Sequence, residues 1–211
     1  MTFARRRFLQ LAGATGLGVL ARPAWADAYP SHVVKFLVGF PPGGGADLAT
    51  RIVVQGLSEG WQRQVIVENR PGAGARIALD AAAHAAPDGY TMLMAPGSPQ
   101  VQGLLFSHLT FDPAVDLVPV SLIGTYPNII VVPNSSPFQT LQQFIAHAKA
   151  NPGKLSWASP GIGTVPHLAG ELFKHMAGIE MTHVPYRGVT QGLMSDFVAG
   201  RLDLMFNTTG S

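Results

Sequence analysis

The sequence predicts an α/β fold with mostly parallel sheets, and three observations predict it. Short β-branched runs alternate with helix-periodic segments at the spacing of βαβ units. Twice, a glycine-rich turn joins a strand to the following helix, around Gly43-Gly44-Gly45 and around Gly161-Ile162-Gly163. The 211 residues are 47% hydrophobic and 12% charged, which supports a sizeable core and excludes a disordered tail or a coiled coil. With no cysteine in the chain, disulfides, thiolate metal sites and a thiol nucleophile are excluded as well.

The elements follow in order. Val33-Val34-Lys35-Phe36-Leu37-Val38 reads as a buried strand, broken by Pro41-Pro42-Gly43-Gly44-Gly45. A helix follows, in which Leu48, Ile52 and Gly56, with Ala49, Val53 and Leu57 beside them, recur at helical spacing as its apolar stripe. Residues 65–68 are a strand, 77–86 a helix of small residues, and 90–95 a strand. Residues 96–127 are less periodic, with short apolar pieces at 101–106 and 117–123. Ile129-Ile130-Val131-Val132 is a strand. Ser136 as cap, Pro137 and Gln139 then predict a helix start with a capping box. Its stripe is Leu141, Phe144, Ile145 and Ala148. Strands at 155–158, 181–184 and 202–206 enclose two more helices, one carrying Leu168, Leu172, Phe173 and Met176, the other Leu193, Phe197 and Val198.

The first 26 residues read as an export signal: Arg5-Arg6-Arg7, an apolar stretch over 8–20, then Ala24-Trp25-Ala26 as an A-x-A cleavage site. Arg5-Arg6 with Phe8-Leu9 also resembles the twin-arginine motif. Four of the 14 basic residues lie in that segment, so the rest of the chain carries ten against 12 acids, a formal −2. No Lys/Arg cluster remains, and a nucleic-acid partner is not expected.

Each glycine loop places backbone amides and a positive helix end at the carboxyl end of a strand. Such a place suits a carboxylate or phosphate, though a plain tight turn fits the same composition. Neither loop is a nucleotide motif. Ser98 reads as a hydroxyl donor to a ligand or as a turn serine, since no G-x-S-x-G elbow surrounds any serine. His167, Glu171 and His175 share a helical face, but i to i+8 spans about 12 Å, too far for one ion. His167 therefore donates to a ligand or braces its loop, His175 lies at the surface, and His183 is structural. Arg187 suits either a carboxylate partner or an interdomain salt bridge. Trp61 and Trp157 read as packing residues.

Several motifs together resemble one family. They are Phe40-Pro41-Pro42-Gly43-Gly44-Gly45-Ala46-Asp47, Val67-Glu68-Asn69-Arg70-Pro71-Gly72-Ala73-Gly74, Ala86-Pro87-Asp88-Gly89-Tyr90-Thr91 and His183-Val184-Pro185-Tyr186-Arg187-Gly188. With Asn151-Pro152-Gly153-Lys154, the segment 167–173 and Asp203-Leu204-Met205-Phe206, they resemble the solute-binding receptors of tripartite tricarboxylate transporters, the Bug family. The resemblance implies a periplasmic receptor of the type II binding-protein class. Its two Rossmann-like lobes, 27–128 and 129–211, would each be incomplete here because a C-terminal return segment is missing. It implies capture of a small organic anion, delivery to membrane permease subunits, a monomer when complete, no cofactor, no metal and no catalysis. The site residues it implies are Phe40, Pro42, Gly43, Gly44, Gly45 and Asp47 on one loop, and Ser159, Gly161, Gly163, Thr164 and His167 on the other. Gly97 and Ser98 follow the third strand, and Tyr186 and Arg187 form a tip. Where the family commonly has Gly-Asn, this chain has Ala75-Arg76, an altered helix start with an added charge. The rival functions are a hydrolase using Ser98 or Ser159 with His167, and an interaction or sensing protein that keeps the fold.

Overall fold

A computed structural model describes residues 28–95, 97 and 99–208; the expected export signal, Pro96 and Ser98 lie outside the described residues. Residues 32–208 fall in one compact unit. No described helix is long and apolar enough to cross a membrane.

The amino-terminal half alternates strand and helix: β1 (Val34–Val38), α1 (Gly45–Trp61), β2 (Val65–Asn69), a 3-10 turn (Ala73–Ala75), α2 (Arg76–Ala83) and β3 (Thr91–Met94). Its strands form a parallel sheet in the order β2-β1-β3, with Phe36 opposite Val67 and Met92. Val34, Phe36, Val54 and Val65 are its buried core, with Leu57 and Trp61 packed on them. The expected stripe on α1 is a correction, because Leu48 and Ile52 face solvent and Ile52 is 74% exposed. The buried face is Asp47, Thr50 and Val54 instead. Tertiary bonds to the Asp47 carboxylate fix the helix rotation, and a residue one step along points about 100° away.

After α3 (Gln100–Leu105), residues 106–127 carry no helix or strand, and Val118, Val120 and Leu122 stand exposed there. The carboxyl-terminal half then runs β4 (Asn128–Val131), α4 (Leu141–Ala150), β5 (Ser156–Ser159), α5 (Val165–Ala177), β6 (Thr182–Pro185), α6 (Gln191–Val198) and β7 (Leu204–Thr208). Strand order is β4-β7-β5-β6. The β5-β6 and β5-β7 pairs are parallel, and β4-β7 is antiparallel. Successive strand residues feed opposite faces. Trp157, Leu204 and Phe206 join Phe144, Ala148, Ile179 and Met181 on one side. Ala158 and Met205 join Leu193, Phe197 and Leu202 on the other.

Two local readings change. Thr140, not Ser136, caps α4: its hydroxyl accepts from the Gln143 amide at 3.2 Å, and Gln143 Oε1 accepts from the Gln139 amide at 2.8 Å. Ser136 stabilises only a preceding turn, accepting from the Phe138 amide. On α5, Leu172 and Met176 point outward. Gly170 presses directly on the Trp157 ring, with no space for a side chain. Residue 172 lies about 200° further round the helix, facing water.

Candidate functional site

The loop before α1 is built around Asp47, which is 1% exposed. Its carboxylate accepts from the Gly43 amide at 2.9 Å, from Arg51 Nε and Nη2 at 2.9 and 3.0 Å, and from Asn69 Nδ2 at 2.9 Å. Asn69 Nδ2 also reaches the Phe40 carbonyl at 3.0 Å. The Arg51 guanidinium, with the Gly43 and Asn69 donors, outweighs burial and holds the Asp47 carboxyl down at about 2. Asp47 thus ties its own loop together, and the Gly43 amide is spent on it. The amides of Gly45, Ala46 and Asp47 at the first turn of α1 have no intrahelical acceptor.

This bracing has a pH signature. The ionised carboxylate is favoured in the folded state, so its contribution is complete above about pH 4 and is lost as pH falls through about 2. Asp47→Asn should lower the urea midpoint clearly at pH 7 and far less at pH 2. A gap that does not shrink on acidification would show that the charge is not what matters.

The second loop, before α5, is equally braced. Thr164 Oγ1 donates to the Gly161 carbonyl at 2.6 Å, and the Gly161 amide donates to Ser159 Oγ at 3.2 Å. Ser159 Oγ lies 2.8 Å from His183 Nε2. The Gly163 amide donates to His167 Nδ1 at 3.3 Å, so His167 braces the loop. Trp157 and His183 are register partners on β5 and β6, and their rings stack at 4.2 Å. His167 lies 4.7 Å from His183. Burial first, and then the neighbouring His167, push His183 down to about 4; burial lowers His167 too. At the start of α5 the Val165 and His167 amides lack intrahelical acceptors, and Pro166 has no N–H to satisfy.

The two halves meet at these loops. Gly74 sits directly beneath the Ile162 carbonyl, and Gly97 against the Val165 side chain. A side chain at Gly188 would start 2.7 Å from Pro41 Cδ. Gln102 Nε2 on α3 donates to the Gly163 carbonyl at 3.3 Å. A narrow crevice remains, lined by Phe40, Ala75, Leu79 and Leu93 of the first half, Gln102 of α3, and Gly163, Thr164 and Leu168 of the second.

Of the residues expected at the site, Phe40, Gly163 and Thr164 line the crevice. Gly161 abuts the Gly74 backbone. Pro42 and Gly43 lie exposed on the outer side of their loop, while Gly44 and Gly45 are half-buried. Gly97 holds a φ of 85° that permits its approach to Val165, and Ser98 lies outside the described residues. The Tyr186 hydroxyl donates to Asp196 Oδ2 at 2.7 Å. Arg187 is exposed and makes no ion pair among the described residues, which leaves the interdomain salt bridge without support.

The rival pairing of Ser159 with His167 is corrected. Ser159 has no exposed surface, and its hydroxyl is engaged with the Gly161 amide and His183. Among the described residues, Ser159 is therefore not placed to act on a substrate with His167. The added charge of Arg76 is turned away onto the Phe106 ring, 4.2 Å from its centroid. Ala75 keeps the left-handed backbone that a glycine there would adopt freely, with a φ of 73°. Sequence reasoning missed Gln102 and Leu79. The one available signal was a polar residue inside the apolar piece 101–106, just after a Pro-Gly turn.

Residues 49–211 match the TctC family, described as "Tripartite tricarboxylate transporter family receptor". A UPF0065 protein from the tcbD-tcbE intergenic region of Pseudomonas sp. (strain P51) is 42% identical over 185 residues, covering 88% of this chain and 55% of the relative. Two solved structures superpose well. An R. palustris protein with adipate gives a TM-score of 0.77 at 32% identity, over 85% of this chain and 60% of that one. MatC from Rhodopseudomonas palustris with bound malate gives 0.76 at 27% identity, over 85% and 61%. The chain spans about half the length of the curated relatives it matches.

Proposed function

The chain belongs to the receptor family of the tripartite tricarboxylate transporters, and from that premise we propose that it captures a small organic carboxylate in the periplasm and presents it to membrane permease subunits. The observation that carries the reading is the meeting of two braced loops, each opening a helix, on one crevice. In the proposal one carboxylate is held by first-turn amides of α1 and α5, where backbone dipoles favour an anion without a buried counter-ion. Thr164 and Gly97 flank it, and the exposed Arg187 approaches from the rim. Residues 27–128 and 129–211 act as the two lobes that close over it. The solved relatives with adipate and malate make linear diacids the first ligands to try. The protein performs no chemistry on what it carries.

Calorimetry with a panel of dicarboxylates tests this directly. Gly163→Val should weaken binding at least about tenfold, because Gly163 has a φ of 84° and any Cβ would start 2.8 Å from Gln102 Nε2. Trp61→Ala, away from the crevice, should weaken it less. No binding across the panel, or equal weakening by Trp61→Ala, would remove these loops as the site.

A further inference from the structure

We infer that Gln102 gives the crevice a ligand-facing hydrogen-bond acceptor, making the cleft selective for acids that carry a hydroxyl beside the bound carboxylate. Three observations meet at this residue. Gln102 is 3% exposed and lines the crevice. Its Nε2 is committed to the Gly163 carbonyl at 3.3 Å, across 61 residues of sequence. Its Oε1 is buried and has no hydrogen-bond partner among the described residues.

The orientation of the amide follows from chemistry. The Gly163 carbonyl needs a donor, so the NH₂ group faces it, while the oxygen lies beside the Gly163 α-carbon, 3.2 Å from where a Cβ would start. An acceptor buried without a partner is costly, and a ligand donor that reached it would recover that cost. Gly163 lies two residues before Val165, whose amide lacks an intrahelical acceptor and suits a carboxylate, so the donor falls next to that carboxylate. An ammonium is the wrong donor: no acid among the described residues lines the crevice, and Asp47 on the adjoining loop is already taken by Arg51, Asn69 and the Gly43 amide. A buried cation would then lack a counter-charge. A neutral hydroxyl needs only the amide oxygen.

This inference rests on the carboxylate reading above, and the experiment separates the two. Malate and succinate differ by one hydroxyl, and aspartate places an ammonium at the same position. Calorimetry on the full chain at pH 7 should show malate binding about tenfold or more tighter than succinate, with aspartate no better than succinate. In Gln102→Met, which keeps the length and loses the amide, the malate-to-succinate ratio should collapse towards one. Equal wild-type affinity for malate and succinate overturns the hydroxyl selection and leaves carboxylate capture standing. So does a ratio that survives in Gln102→Met, or aspartate as the tightest of the three. Loss of both acids alike in a Gln102→Met protein that still melts cooperatively would make Gln102 a structural clasp, and also overturns the selection. Failure of every acid to bind the wild type sinks the carboxylate reading and this one together.

Discussion

Trp157→Ala should cost the fold about 3–5 kcal/mol, read as a lower urea midpoint at unchanged slope. Trp157 has no exposed surface, and it meets Phe206 edge-on at 5.7 Å and Gly170 of α5 directly. Gly170 has no side chain with which to follow the ring into a vacated space, so the cavity would collapse only partly. A domain holds only about 5–15 kcal/mol in all, so this one change takes a large share. Trp157→Phe should cost less than half as much. It keeps most of the ring and deletes Nε1, a buried donor with no partner among the described residues. The same ring is the floor on which His183 and His167 stack, so the alanine variant should also let both imidazoles titrate nearer the ordinary histidine value. A cost below about 1 kcal/mol for the alanine change would mean that Trp157 is not the keystone of this core. Equal costs for the phenylalanine and alanine changes would mean that the unpaired donor carries no penalty.

What could be read from the sequence was local. The units β1–loop–α1 and β5–loop–α5 were legible because β-branched runs, glycines and helical spacing are adjacent in the chain. Family motifs were legible for the same reason, each being a contiguous turn. Direction was not: nothing in Ile129-Ile130-Val131 says that β4 runs antiparallel to β7, because side-chain alternation is the same either way. The cap of α4 was ambiguous by composition. Ser136 and Thr140 each have a glutamine three residues on, and only the packed helix chooses Thr140. The inward face of α1 depended on Asp47 finding Asn69, 22 residues away, and periodicity alone favoured the wrong stripe. At the site, the glycine loops were visible but their bracing was not. Ser159 meets His183 across 24 residues because β5 and β6 lie side by side, and Gln102 reaches Gly163 only through the approach of the two halves. The contacts hidden from the sequence are the ones with the longest sequence separation.

Acid should weaken this protein between about pH 6.5 and pH 4, and His183 should account for much of the loss. In the unfolded chain its imidazole takes up a proton near the ordinary value of 6.5, whereas in the folded protein it resists until about 4. Burial is the larger cause. Its ring lies between Trp157 and the Ser159 hydroxyl, where a cation would be poorly solvated. His167 adds to this from the start of α5, and Lys174 of the same helix pushes in the same direction, while Glu171 opposes them. Between the two values the unfolded state therefore binds one more proton than the folded state, so stability falls as pH is lowered through that window and levels off below it. Keeping the ring neutral across the whole window corresponds to roughly 3 kcal/mol at most, and to about half of that once water screens the half-buried imidazole. His167, lowered mainly by burial, steepens the upper part of the slope. Urea unfolding of the wild type and His183→Gln at half-unit steps from pH 7.5 to 3.5 provides the measurement. The variant should be less stable at pH 7 yet visibly flatter between 6.5 and 4, so that the two curves converge in acid. Carboxylates that titrate in the same range cancel in the comparison, since both proteins carry them. Parallel curves would show that His183 is not held neutral by the fold, and a His183 resonance titrating at the ordinary value would say the same by an independent route.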